Sequence, residues 1–378
     1  MRHIKLDASS IAHHVKDLSA TAAGLLALLP ESEKEQLPLL QSACREHGLR
    51  LVGAIFPALV VDQAFVTEGA WLMSFETMPA RFALANLPAD ALQAAAQIAS
   101  LARQGLNVPR AGGAKPTLFM LFDSMVPNIA SILDGLYLDL SNRVDYAGVN
   151  AGSETFQPMP CLFDENASFG NGVLGLLLPG HTAAVLEHGF VRPERAMCAS
   201  STEGNRIASI DWQPAFAVYQ QVIKAEYGIE LTPENFYQHA VHFPFGIQQA
   251  NGDVAVRIPV ALAEDGSLYC VGEIPENAML VLLKAPALGE SDCIAHLAAK
   301  LVAENGAQQG GELLTFYCAG RRMHLGADAE QELLALHAAT GVARMAGALS
   351  LGEIGSTRRW GYPIFHNATL VCAPWQAK

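Results

Sequence analysis

The chain has 378 residues, 51% of them hydrophobic and 16% charged, which is room for two ordinary cores. Its formal net charge of -13 excludes a broad polyanion-binding face, and the densest basic run, Arg358-Arg359, is only two residues long. Its cysteines, at 44, 161, 198, 270, 293, 318 and 372, are odd in number and lack a CxxC, which argues against a disulfide framework or zinc ribbon.

The N-terminus, MRHIKLDASS, carries no apolar core of signal-peptide length. No run of about 18 uninterrupted apolar residues follows it. The expectation is a cytoplasmic protein without a nucleic-acid or membrane partner. Over residues 7–29, Ile11, Val15, Leu18, Ala22, Leu25 and Leu26 recur at helical spacing behind Ser9 and Ser10, which suit a cap. A second helical run, 31–47, stops at Gly48. LRLVGAIF, GAWLMSFE and ARFALANL then read as strands, 89–102 as an Ala-rich helix and 110–115 as a Gly-rich loop. TLFMLFD (117–123) is apolar on both alternating sets, the pattern of a strand buried on both faces. The run 127–140 begins with Pro and reads as a helix, completing a strand-helix-strand crossover.

Gly148–Pro179 is the most distinctive stretch. A glycine-bearing polar turn (Asn150, Gly152, Ser153, Glu154) and a second turn, Phe163-Asp164-Glu165-Asn166, separate strand-like runs, the reading of a meander. Glycine there lets the backbone take positive φ and leaves little in the way of a small molecule. Segments 182–189, 195–200 and 206–212 read as further strands. The rhythm resets near 205–213, where a helix over 214–227 and one started by Pro233 follow. Strands at 254–262, 268–274 and 279–285, a helix at 291–305, a strand at 313–320, a helix at 328–340 and two closing strands complete the chain. The fold expected is α/β in the broad sense, with mixed α+β sheets: two tandem domains, 1–210 and 211–378, each a mixed β-sheet flanked by helices. No repeat is visible at the residue level.

Gly148, Asn150, Ala151, Gly152, Ser153, Glu154, Phe163 and Gly175 follow an ordered pattern of glycine turn, aromatic-Asp turn and Gly-containing leucine strand. In this the stretch resembles the closing part of the N-terminal half of a FIST domain. The second half resembles that family's C-terminal domain at Tyr219, Pro244-Phe245-Gly246, Arg257, Asp265-Gly266-Ser267, Ile274-Pro275, Cys318 with Gly320-Arg321, Gly352-Glu353-Ile354, and His366-Asn367 with Thr369. The likeness runs from about residue 50 to 372. The family's polar Gly-Cys-Ser/Thr turn is replaced here by Gly53-Ala54-Ile55-Phe56-Pro57. The resemblance implies a sensory module of bacterial signal transduction that binds small ligands such as amino acids. One free-standing branch binds haem and senses nitric oxide beside histidine kinases or cyclic-di-GMP enzymes. The chain has no kinase, cyclase or phosphodiesterase motif, so output would pass to a separate partner.

Tested for chemistry, Gly170-x-Gly172-x-x-Gly175 matches a dinucleotide fingerprint by letter only, because Leu176-Leu177-Leu178 meets Pro179 too soon for the helix that must hold a pyrophosphate. Cys318 precedes Gly320-Arg321, and an adjacent guanidinium lowers a thiol pKa; it is the residue on which an enzymatic alternative would rest, with core filling as the plainer role. Arg257 sits among Val and Ile and needs an anionic partner, for which Glu353 is the candidate; an ion pair joining strands is the plainer reading. Arg321, Arg257 and Glu353 otherwise form the charged walls of a carboxylate or amino-acid pocket. His366 and Asn367 join the ligand-binding set with the turn residues Asn150, Gly152, Ser153 and Glu154. For haem iron the imidazole candidates are His188, flanked by Val185, Leu186 and Phe190, and His242, beside Phe243 and Phe245. A purely structural adaptor is the third alternative.

Overall fold

The computed structural model describes residues 1–107, 115–179, 184–249, 252–287, 289–355 and 362–375. Three times the chain follows one path: edge strand, helix, central strand, helix, parallel central strand, hairpin, returning strand. The first pass comprises β1 (Arg2–Ile4), α1 (Ala8–Ser19), β2 (Gly24–Pro30), α2 (Leu37–Glu46), β3 (Arg50–Phe56), the hairpin β4 (Leu59–Val61) and β5 (Ala64–Val66), and β6 (Ala70–Phe75). The second comprises β7 (Ala80–Leu84), α3 (Ala91–Leu106), β8 (Thr117–Asp123), α4 (Ile129–Leu140), β9 (Asp145–Ala151), the hairpin β10 (Leu162–Asp164) and β11 (Ser168–Phe169), and β12 (Val173–Leu178).

The third pass opens with β13 (Val185–Glu187) and is then interrupted by an insertion. The insertion contains β14 (Ala196–Cys198), β15 (Ser201–Glu203), β16 (Arg206–Ile210), β17 (Gln213–Pro214), α5 (Ala215–Tyr227), α6 (Phe236–Ala240), β18 (Phe245–Gln248), β19 (Val254–Arg257), β20 (Pro259–Leu262), β21 (Leu268–Cys270) and β22 (Met279–Leu282). The pass resumes with α7 (Cys293–Asn305), β23 (Glu312–Cys318), α8 (Ala319–Leu325), α9 (Ala329–Thr340), β24 (Arg344–Ser350), the hairpin β25 (Glu353–Gly355) and β26 (Ile364–His366), and β27 (Leu370–Trp375).

Each pass builds most of a six-stranded sheet and lends its hairpin to another. The orders are β1-β6-β2-β3-β10-β11, β7-β12-β8-β9-β25-β26 and β13-β27-β23-β24-β4-β5. The first hairpin therefore edges the third sheet, the second edges the first, and the third edges the second. The exchange is cyclic, and it covers the open side of β3, β9 and β24 with main-chain partners. One core takes a face from each sheet, with Phe316 lying 5.9 Å from Phe56 and 6.0 Å from Phe119 between ring centroids. Helices cover the opposite faces, α3 and α4 over the second sheet and α7 and α9 over the third. The insertion makes its own core beneath α5, around Tyr219 and Phe245.

The threefold likeness reaches single residues. In the parallel pairs, Gly53 faces Ala27, Gly148 faces Met120 and Gly347 faces Thr315, each glycine being fourth in a seven-residue strand. A Cβ at these glycines would lie 2.2, 2.4 and 1.6 Å from the facing residue's carbonyl oxygen. So close a strand approach admits only glycine.

Several expectations are corrected. The helix expected over 7–29 ends at Ser19, with Asp7 rather than a serine as its cap, and Leu25-Leu26 belong to β2. GLLALLP is buried at every position, so a strand explains its apolar run better than one helix face. Gly148–Pro179 is no meander: β10 pairs with β3, and β12 with β7 and β8. The run 254–262 is two strands in two sheets, divided at Ile258. The loop at 110–114, the start of the 182–189 run and the Arg358-Arg359 pair lie outside the described residues.

Candidate functional site

Cys318 and Ser350 end the parallel strands β23 and β24, and both open onto a cleft of about 540 Å³. Every part of the fold contributes to its wall. Phe65 arrives on the exchanged hairpin of the first pass, Glu154 and Phe156 follow β9 of the second, and Tyr237, Val241 and Ile258–Val260 come from the insertion. The third pass adds Cys318–Gly320, Arg322, Met323, Glu330, Ser350, Leu351 and Asn367. The lining is mainly apolar with a few polar groups, the usual make-up of a small-molecule site.

Behind the polar wall lies Glu353, fully buried. Its carboxylate accepts from Ser350 Oγ at 2.5 Å and Thr369 Oγ1 at 2.8 Å, and the Cys318 thiol lies beside it. Burial outweighs these bonds and pushes Glu353 up to about 7. The Cys318 thiol is likewise pushed up by burial, with the Glu353 charge adding to the effect, so it is protonated at rest.

This carboxyl gives the fold a pH dependence. A group whose folded pKa lies above its unfolded value of 4.5 contributes its full stability below that value and loses it as pH rises through about 7. From pH 4.5 to 8 the wild type should lose about 3 kcal/mol relative to Glu353→Gln, by urea unfolding. The buried imidazoles His188 and His366 act oppositely, since burial lowers both, and they are common to both proteins. A difference that stays flat with pH would show the carboxyl to be ionised throughout.

The other anticipated charged residues have their own partners. Arg321 donates Nε to Glu332 Oε2 at 2.8 Å and Nη2 to Oε1 at 2.7 Å, while Tyr317 donates to Oε2 at 2.6 Å. Arg321 Nη1 also donates to the His188 carbonyl at 2.8 Å. This guanidinium ties α8 to α9 and cannot lower the Cys318 pKa, which moves the other way. The pairing of Arg257 with Glu353 is not formed. Arg257 donates to the carbonyls of Glu273, Val256 and Phe365 at 2.9, 3.0 and 2.8 Å and lies over the Phe365 ring, in the wall of a different cavity. The Glu273 carboxylate is taken up by Ser131. Arg321, Arg257 and Glu353 therefore do not form the charged walls of one pocket.

Of the turn residues, Glu154 alone reaches the cleft, with Oε1 4.0 Å from Arg322 Nη1. Asn150 instead stitches β9 to the segment after β24, its N–H donating to Gly352 O and its carbonyl accepting from Leu351 N. Gly152 takes φ +133° and donates its N–H to Ile55, and Ser153 pairs with the Thr155 hydroxyl. Asn367 lines the cleft and holds Ile258 N–H. His366 lies opposite Glu353 across β25 and β26, buried, with neither ring nitrogen partnered among the described residues.

Neither haem candidate faces the cleft. His188 Nδ1 accepts from Phe190 N at 2.9 Å, and His242 Nδ1 meets His324 Nδ1 at 2.5 Å in another cavity. The cleft wall among the described residues holds no imidazole, so these residues do not fit axial ligation of haem there.

A family model of the FIST N domain matches residues 25–213, and one of the FIST C domain matches 215–356. The chain belongs to the FIST family. None of the curated proteins matches it. FIST domains are associated with signal transduction and small-ligand sensing. In this FIST protein Phe65, Glu154 and Phe156 of the cleft fall in the first matched region, and Ile258, Cys318 and Ser350 in the second. No helix among the described residues is long and apolar enough to cross a membrane. Phe65, Tyr237, Ser350 and Arg322 carried no signal in the sequence, because they meet only through the hairpin exchange and the insertion.

Proposed function

We propose that this FIST protein is a sensor that binds a small, mostly apolar ligand with one polar end in the cleft above β23 and β24, and reports occupancy to a separate signalling protein. The observation that carries this reading is the origin of the wall: one cavity of about 540 Å³ is lined by residues of both matched regions. A ligand touching both halves stabilises their present arrangement over any other, by its differential affinity for the two. The polar end belongs beside Glu154 and Arg322, whose opposite charges suit an amino-acid-like zwitterion. A histidine kinase or cyclic-di-GMP enzyme is the class of partner that fits output in trans.

The test is thermal unfolding against a panel of apolar amino acids and related carboxylates. A true ligand should raise the melting temperature, and Glu154→Ala should remove most of that rise while leaving the ligand-free protein within a few degrees, as expected for an exposed residue. If the rise survives Glu154→Ala and Val260→Trp alike, the ligand does not sit in this cleft.

A further inference from the structure

The end of the first parallel central strand carries different residues in the second and third passes. In the second, Asp123 ends β8, and Oδ2 accepts the N–H of Asn171, a residue with φ +45°, at 2.5 Å. In the third, Cys318 ends β23, and Sγ accepts the N–H of Ala368, with φ +56°, at 3.0 Å. The registers correspond, since Asp123 N donates to Gly172 O and Cys318 N to Thr369 O. A sulfur thus occupies a carboxylate's place, and the N–H groups of Gly320 and Arg321 also face it. Backbone donors so arranged favour an anion on the atom they surround.

The thiol's charged neighbour is the Glu353 carboxylate, held in place by Ser350 and Thr369. Cys318 is 3% exposed, yet it stands in the cleft wall with Ala319, Ile258 and Leu351 around it. A nucleophile, an adjacent base and an apolar cavity therefore meet at one point.

We propose that Cys318 captures a ligand covalently: its sulfur adds to an apolar molecule carrying an activated carbon–carbon double bond, an α,β-unsaturated aldehyde or ketone. The proposal rests on the cleft being the ligand site. Glu353 accepts the thiol proton as sulfur bonds to the β-carbon. The carbon–carbon π pair moves to give an enolate, and the proton returns from Glu353 to the α-carbon. One C–S bond forms and one π bond is lost, with no leaving group, oxidant or water. The carboxyl sits near neutrality, as a base at the operating pH requires.

The experiment treats the full chain with trans-2-octenal and follows intact mass and peptide maps. Expected is one adduct of the whole aldehyde mass on Cys318, formed at least about tenfold faster than on Cys198, the more exposed thiol. Cys318→Ser should abolish it, and Glu353→Gln should slow it by on the order of 10²-fold. Val260→Trp, which narrows the cleft from a half-exposed position without touching the thiol, should slow it about tenfold or more, and it decides the matter if the Gln variant does not fold. Modification of Cys198 first, with Cys318 reacting only in urea, would show Cys318 to be core filling. If octenal fails but a noncovalent ligand still stabilises wild type and Cys318→Ser equally, covalent capture falls and the sensing reading stands. If neither binds, both fall.

Discussion

Gly347→Ala should cost about 4 kcal/mol or more, a large fraction of the stability of an ordinary domain. The new methyl carbon would stand 1.6 Å from the Thr315 carbonyl oxygen, with further Thr315 backbone atoms at 2.6 and 3.1 Å. These are atoms of a central strand, so relief requires β23 and β24 to move apart through their paired residues. Gly53→Ala and Gly148→Ala meet the same obstacle at 2.2 and 2.4 Å and should be severe as well. Urea unfolding of each variant provides the measurement. A change below about 1 kcal/mol at Gly347 would mean that the strands tolerate a side chain there, and that the threefold recurrence of glycine has another cause.

Glu332→Ala should cost about 3–5 kcal/mol, because it leaves the buried Arg321 guanidinium without its counter-ion and Tyr317 without its acceptor. Arg322→Ala, one residue along and half-exposed, should cost about 0–1 kcal/mol, since its contact with Glu154 is a 4.0 Å pair at the mouth of the cleft. Replacing both buried partners, Arg321→Met with Glu332→Leu, should recover much of the loss, as apolar groups of similar volume carry no desolvation cost. A double variant as unstable as Glu332→Ala would show that the pair is needed for more than its own neutrality, through the bond from Arg321 to the His188 carbonyl.

Local pattern carried a good part of the fold. TLFMLFD is β8 residue for residue, and the runs at 214–227, 291–305 and 328–340 are helices to within two residues at each end. Such segments have one periodicity and clear punctuation, so nearby residues suffice. GLLALLP misled because an apolar run continuing a helical face looks the same as a strand buried on both sides. The Gly170–Gly175 fingerprint was correctly set aside, since Val173–Leu178 is the strand β12 and no helix follows to hold a phosphate.

The site was less legible. Glu154, Glu353 and Asn367 were singled out as ligand-binding candidates and Cys318 as the residue of an enzymatic alternative, and the structure places them in or directly behind one cleft wall. Arg257 and Arg321 looked like ligand-binding cations by the same logic, yet carbonyl oxygens surround the first and a carboxylate neutralises the second. Charge in a sequence marks that a partner exists, and only contact distance shows which one.

By itself the sequence determined many of the elements and the two-part family pattern, because each depends on residues near one another in the chain, whereas the need for glycine at the fourth place of β3, β9 and β24 comes from the facing strand. The tertiary structure alone decided that three passes of one topology exchange their hairpins cyclically, bringing Phe65, Glu154, Cys318 and Ser350 to a common cavity. A β-strand's two edges carry the same donors and acceptors whatever its side chains, so the choice of sheet for each hairpin is made by the packing of the whole molecule.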